Sequence, residues 1–183
     1  MSRWIANALN ALKDPNAVKF GLKRTGIRGF KLINMFCAIH LFTEYVGRPS
    51  TMAGPSMLPT LATYGEIVIE DRITYRLNPS SLSRGDLVTL KSPVNPSHII
   101  CKRVIGLPGD IVCVDPTGNK APSSEHVVIP KGHIWISGDN AANSRDSRDY
   151  GPVPISLIQA RLYARVWPLK DSTIFRNPTR IVE

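Results

Sequence analysis

Hydrophobic and polar positions follow two different rhythms along this chain. Residues 1–29 are basic, poor in acids and interrupted by Pro15, Gly21, Gly26 and Gly29. From Leu32 to Val46 the chain is largely apolar, with Asn34, His40, Thr43 and Glu44 interspersed. That stretch is shorter and more polar than the roughly 20 apolar residues a lone spanning helix prefers. It reads equally as a membrane anchor and as a buried or interfacial helix. If it spans, the basic flank keeps the N-terminus on the inner side and carries the body across. Asn34, His40 and Glu44 then need a partner, such as another helix.

From Gly65 onward short runs rich in β-branched residues alternate with Gly and Pro. They predict strands over Glu66–Glu70, Asp86–Lys91, His98–Ile105, Asp110–Val114, His126–Ile129, His133–Ser137 and Arg161–Trp167, and so a mostly antiparallel β domain. A helical turn is expected at Ile155–Gln159, after Pro152 and Pro154. The organisation read from these patterns is a basic segment over 1–31, an anchor over 32–46, a β domain over 47–170 and a C-terminal tail over 171–183.

Charge changes this picture less than the net value of +9 suggests. Residues 1–31 hold seven basic residues against one acid, which leaves the remainder at a net +3. The body carries no aromatic-interleaved basic run, so nucleic acid is not an expected partner. Cys37, Cys101 and Cys113 lack CxxC spacing and have no His at metal-ligand intervals, so no metal is expected. Cys101 and Cys113 fall on strands that can adjoin, and the sequence leaves open whether they pair or are two small buried apolar side chains.

Three short segments carry candidate chemistry. Gly54-Pro55-Ser56-Met57-Leu58-Pro59-Thr60 puts a hydroxyl on a Pro-bounded turn, where most serines merely bond backbone or water. In the strand from His98 to Ile105, alternation places Ile100, Lys102 and Val104 on one face and Ile99, Cys101, Arg103 and Ile105 on the other. A lysine there is either an edge residue that blocks aggregation or, if that face is buried, an amine whose pKa desolvation lowers. The third segment, from Gly138 to Arg148, is either a solvated turn or a polar network in which Ser144 orients the amine and Asp146 pairs with Arg148 or a neighbour. His98 shares the face of Lys102 about 13 Å away. A Ser-His-Asp arrangement has no positive signal in the sequence, since neither His126 nor His133 has an evident carboxylate orienter.

Together, and in this order, the three segments resemble the type I signal peptidase family of Ser-Lys proteases, over about Thr51 to Pro168. Within it the chain looks most like the first catalytic subunit of the mitochondrial inner-membrane peptidases. Ala53–Thr60, Ile100–Gly106, Pro108–Asp110 and Trp167–Leu169 carry that likeness. The resemblance implies Ser56 as nucleophile, Lys102 as general base and Ser144 as the hydroxyl that positions the amine. It implies Asp139, Asp146 and Arg148 as the supporting loop, and Met57 and Pro59 as shaping the turn beside the substrate cleft. It further implies a mostly antiparallel fold, no cofactor, and removal of sorting presequences from precursors at the mitochondrial inner membrane. The catalytic domain would face the intermembrane space, with a second related subunit as partner.

One position departs from many bacterial members. They carry a hydroxyl residue two places before the nucleophile to help hold the oxyanion, and here that place is Gly54. Two other functions fit a Ser-Lys pair or its fold: a self-cleaving protein, which the basic then apolar N-terminus disfavours, and a non-catalytic membrane assembly subunit.

Overall fold

The computed structural model describes residues 15–78 and 81–175, and for 15–23 the backbone alone. The ends of the expected basic segment and C-terminal tail, at 1–14 and 176–183, lie outside the described residues. Two units are distinguishable, Met1–Thr43 and Glu44–Glu183.

Among the described residues the first unit contains one helix, α1, Pro15–Leu41, followed by a π-helical turn at Phe42–Val46 that leads into the second unit. The expected start at Leu32 is therefore corrected: the helix runs through the glycines that suggested breaks. Proline at a first helical position costs no hydrogen bond, and each interior glycine costs only about 1 kcal/mol. Ile27, Phe30, Leu32, Ile33, Phe36 and Ile39 are all exposed along it. Among the described residues no helix is long and apolar enough to cross a membrane. Arg24, Arg28 and Lys31 interrupt the apolar run, so the expected anchor over 32–46 has no spanning length of its own.

The second unit is built on antiparallel strands, as the alternation predicts. Its strands are β1 Gly47–Met52, β2 Glu66–Asp71, β3 Leu87–Lys91, β4 Ile99–Gly106, β5 Ile111–Cys113, β6 His126–Val128, β7 His133–Ser137, β8 Val153–Pro154, β9 Ile158–Trp167 and β10 Thr173–Ile174. Two short helices join them, α2 Ile73–Leu77 after β2 and α3 Ser147–Tyr150 after β7. The main sheet runs β1-β2-β9-β3-β4-β7-β8, with β10 also on β9, while β5 and β6 form a separate hairpin.

β3 lies in mid-sheet and is covered on both faces, so Leu87 to Leu90 are all buried and its sequence shows no alternation. Val88 and Leu90 join Val104, Ile134, Ile136, Val153 and Ile158 in one core cluster. Leu87 joins Met57, Leu61, Val68 and Leu162 in the other. The second cluster matters for the site because its member Met57 immediately follows Ser56. β4 crosses between the clusters, with Lys102 paired to Val88 of β3. β7 pairs with β4 from Arg103 onward. Among the described residues no strand therefore covers the free edge of Ile99–Lys102.

The three cysteines are unpaired. Cys101 packs against the second cluster, and burial pushes its thiol pKa up to about 12. Cys113 donates to the Ser123 carbonyl at 3.2 Å.

Candidate active site

Gly-Pro-Ser-Met-Leu-Pro cannot continue a strand, because each proline removes a ladder donor and restricts its predecessor. The chain instead makes a 3-10 turn at Pro55–Met57. Gly54 caps it with φ 120° and ψ 154°, a conformation open essentially to glycine alone. The absent hydroxyl at position 54 thus has a backbone cause, since a serine there would be strained. Met57 is buried in the core, which fixes the turn from below and leaves Ser56 half-exposed above it.

Ser56 and Lys102 line one cavity of about 270 Å³. Its other walls come from the end of β1 and the following loop (Met52, Ala53), from Leu61 and Ala62, and from Ile100 and Cys101 on β4. Met57 lines it too, while Pro59 is exposed and is not one of the lining residues. Lys102 is 4% exposed. Among the described residues no hydrogen bond or ion pair reaches its amine. Desolvation lowers its pKa from the ordinary lysine value, and the negative charge of Asp146 only partly opposes this. A buried amine that is easy to deprotonate is what a general base near neutrality requires.

The loop after β7 is bonded to the turn that carries Ser56. The backbone N–H of Asn140 donates to the Ser56 carbonyl at 3.0 Å, and its side chain donates to the Pro55 carbonyl at 3.1 Å. Gly138 permits the approach: a Cβ there would collide with the Ser144 hydroxyl and the Ser56 carbonyl. Ser144, Asp146 and Ser147 are buried. The Ser144 hydroxyl donates to Asp146 Oδ2 at 2.6 Å. An ionised carboxylate can only accept, so the Ser144 proton is committed there and its lone pairs remain for a neighbouring N–H.

Asp146 also accepts from the Gly138 N–H at 2.9 Å and from Arg148 Nε and Nη2 at 2.9 and 2.8 Å. Burial alone would raise its pKa, but Arg148, Ser144 and Gly138 outweigh that and hold it at about 2. Asp146 therefore stays charged, while burial disfavours the charged form of Lys102.

Asp139 belongs to a different contact. Arg103, on the opposite face of β4 from Lys102, grips it through Nε at 2.8 Å and Nη2 at 2.6 Å, and donates Nη1 to the Gly85 carbonyl at 2.8 Å. Thr60 donates to the same carboxylate. This triangle ties the segment after Ser56 to β4 and to the loop after β7. The sequence reading named Asp139 but gave no role to Thr60 or Arg103. The available signal was a second cation on the face that alternation assigns to Cys101. Asp115 and Lys120, in the loop between β5 and β6, also contact the segment around Asp146 and have no local signature in the sequence. His98, His126 and His133 bond to atoms of their own loops, and none lines the cavity.

Comparison with known proteins places these features in context. The family model described as signal peptidase, peptidase S26, matches residues 27–120 and 115–167. The chain is 43% identical over 145 residues to the mitochondrial ATP-independent inner membrane protease subunit 1b of Arabidopsis thaliana, covering 78% of this chain and 83% of that protein. It is 44% identical over 149 residues to the mitochondrial inner membrane protease subunit 1 of Xenopus tropicalis, covering 81% and 86%. Similarity extends to the mitochondrial inner membrane protease subunit 2 of Saccharomyces cerevisiae, 39% identical over 120 residues and covering 63% and 65%.

Proposed function

The chain belongs to the signal peptidase family, peptidase S26, and is a peptidase; from that premise we propose that it cuts sorting presequences from precursors at the mitochondrial inner membrane with Ser56 as nucleophile and Lys102 as base. The observation that carries this reading is the shared cavity, lined by both a half-exposed serine and a buried lysine of lowered pKa that has no partner among the described residues.

The precursor enters as an extended segment along the uncovered edge of Ile99–Lys102, with small or apolar side chains against Ala53, Ala62 and Leu61. The neutral Lys102 amine takes the Ser56 proton as Oγ bonds to the scissile carbonyl carbon. The oxyanion meets backbone N–H groups of the turn, because Gly54 has no side chain to offer. As the intermediate collapses, the C–N bond breaks and the Lys102 ammonium protonates the leaving amine, which leaves an ester on Ser56. Lys102 then deprotonates a water that attacks the ester, and the proton returns to Ser56. Ser144, held by Asp146, offers its lone pairs to the amine and keeps it aimed. The chemistry needs no cofactor.

The catalytic unit faces the intermembrane space, with the exposed apolar positions of α1 and the basic residues before them held at the membrane. A second, related subunit works beside this one, in keeping with the subunit numbering of its relatives.

The test is N-terminal peptide mass spectrometry on mitochondria carrying the native chain or Ser56→Ala at equal abundance. A small set of intermembrane-space proteins should retain presequences in the variant. Unchanged termini would remove Ser56 from the reaction.

A further inference from the structure

Lys120 lies in the loop between β5 and β6, 24 residues from Ser144 in sequence. Its ammonium donates to both oxygens of Asp149, at 2.8 and 2.7 Å, and to the backbone carbonyl of Ser144 at 3.0 Å. Asp149 in turn accepts the Asp146 N–H at 2.9 Å, and Asp146 accepts the Ser144 hydroxyl. Residues 144, 146 and 149 are thus closed into a ring of hydrogen bonds, and Lys120 is the member supplied from outside the segment. The same loop grips the segment a second time. The Lys120 N–H donates to Asp115 Oδ2 at 2.8 Å, and the buried Asp115 carboxylate lies 3.9 Å from Nη1 of Arg148.

A partly exposed ion pair contributes little by itself. This one differs because it also orients a carbonyl. Lys120 ties the Ser144 backbone to Asp149, which holds the Asp146 N–H, and Asp146 in turn holds the Ser144 hydroxyl. We propose that Lys120 is a positioning residue for peptide cleavage, acting through Ser144 to hold the lone pairs that aim the Lys102 amine. The proposal rests on the Ser56–Lys102 reading.

The test uses the purified full-length chain in detergent and a precursor that retains its presequence in Ser56→Ala mitochondria. Lys120→Met should lower kcat about tenfold with KM within about twofold, the scale of a disturbed supporting contact. Lys120→Arg, which keeps charge and donors, should recover most of the rate. In a Ser144→Ala background Lys120→Met should cost nothing further, because the route through Ser144 is already gone. An unchanged kcat in Lys120→Met, or an equal loss with and without Ser144, overturns the proposal. If Lys120→Met does not accumulate folded, Asp149→Asn weakens the same ring and is read by the same two criteria. Ser56→Ala on the same precursor separates the two ideas. Activity surviving there sinks the Ser-Lys reading, whereas loss there with full activity in Lys120→Met sinks this proposal alone.

Discussion

The two faces of β4 place two neighbouring cations in opposite circumstances. Arg103 faces Asp139, Thr60 and the Gly85 carbonyl, and its hydrogen bond with Asp139 raises its pKa further. Lys102, one residue earlier, stands opposite Val88 among apolar neighbours, and desolvation lowers its pKa. The arginine is fixed in its charged form and serves as a tie. The lysine has no hydrogen-bond or ion-pair partner among the described residues, and burial disfavours its charged form. A reactive cation is recognised here by what the fold withholds from it, and the largest consequences follow from restoring or removing that difference.

Lys102→Met should have the largest effect. Removing the base should reduce precursor cleavage by about 10⁴-fold or more, as losses of single members of hydrolytic machinery do. The same change replaces a buried amine with a side chain suited to the site, so the melting temperature should rise, and a parallel loss of stability would contradict this account.

Asp146→Asn should come next, because it removes the nearer of the two carboxylates that face buried Arg148 and leaves only Asp115 at 3.9 Å, at a cost of about 3 kcal/mol measurable by denaturant unfolding. The native protein should show the same contact as acid sensitivity. The folded pKa of Asp146, at about 2, lies below the ordinary 3.8. Its contribution is therefore complete above about pH 4 and disappears as pH falls toward 2. It amounts to about 2 kcal/mol. Asp146→Asn should flatten that part of the stability curve.

Arg103→Met should cost stability without moving the pH at which the base titrates, since it faces away from Lys102. A smaller effect is expected from Gly54→Ser. It supplies the hydroxyl that many bacterial family members carry at that place, yet strains the backbone by about 1 to 3 kcal/mol, so cleavage should slow rather than improve. A faster enzyme would mean that the turn tolerates a side chain at φ 120°.

The contrast between the faces also explains what the sequence could convey. Alternation in β4 placed Lys102 with Ile100 and Val104, and burial gives that lysine the lowered pKa that the proposed base requires. The strands of the core were legible because their β-branched residues mark them. β1 was not: Gly47-Arg48-Pro49-Ser50-Thr51-Met52 is polar and contains proline, and it is a strand because β2 pairs with it. The two-residue strands β8 and β10 are likewise made by their neighbours. α1 was misread because punctuation by glycine was given more weight than helix continuity. The ties from Arg103 to Asp139 and from Lys120 to Asp149 join residues 36 and 29 positions apart, and no local pattern encodes such meetings.

The most direct test of the central claim is the titration of Lys102 itself. In protein labelled with ¹³C at lysine Cε, the Lys102 signal is identified by its loss in Lys102→Met and followed with pH. A transition well below the ordinary 10.5, rising toward that value when Val88→Asp gives the amine a partner, is the predicted result. Titration of Lys102 at or above 10.5 in the native protein would contradict the account and remove Lys102 as the base.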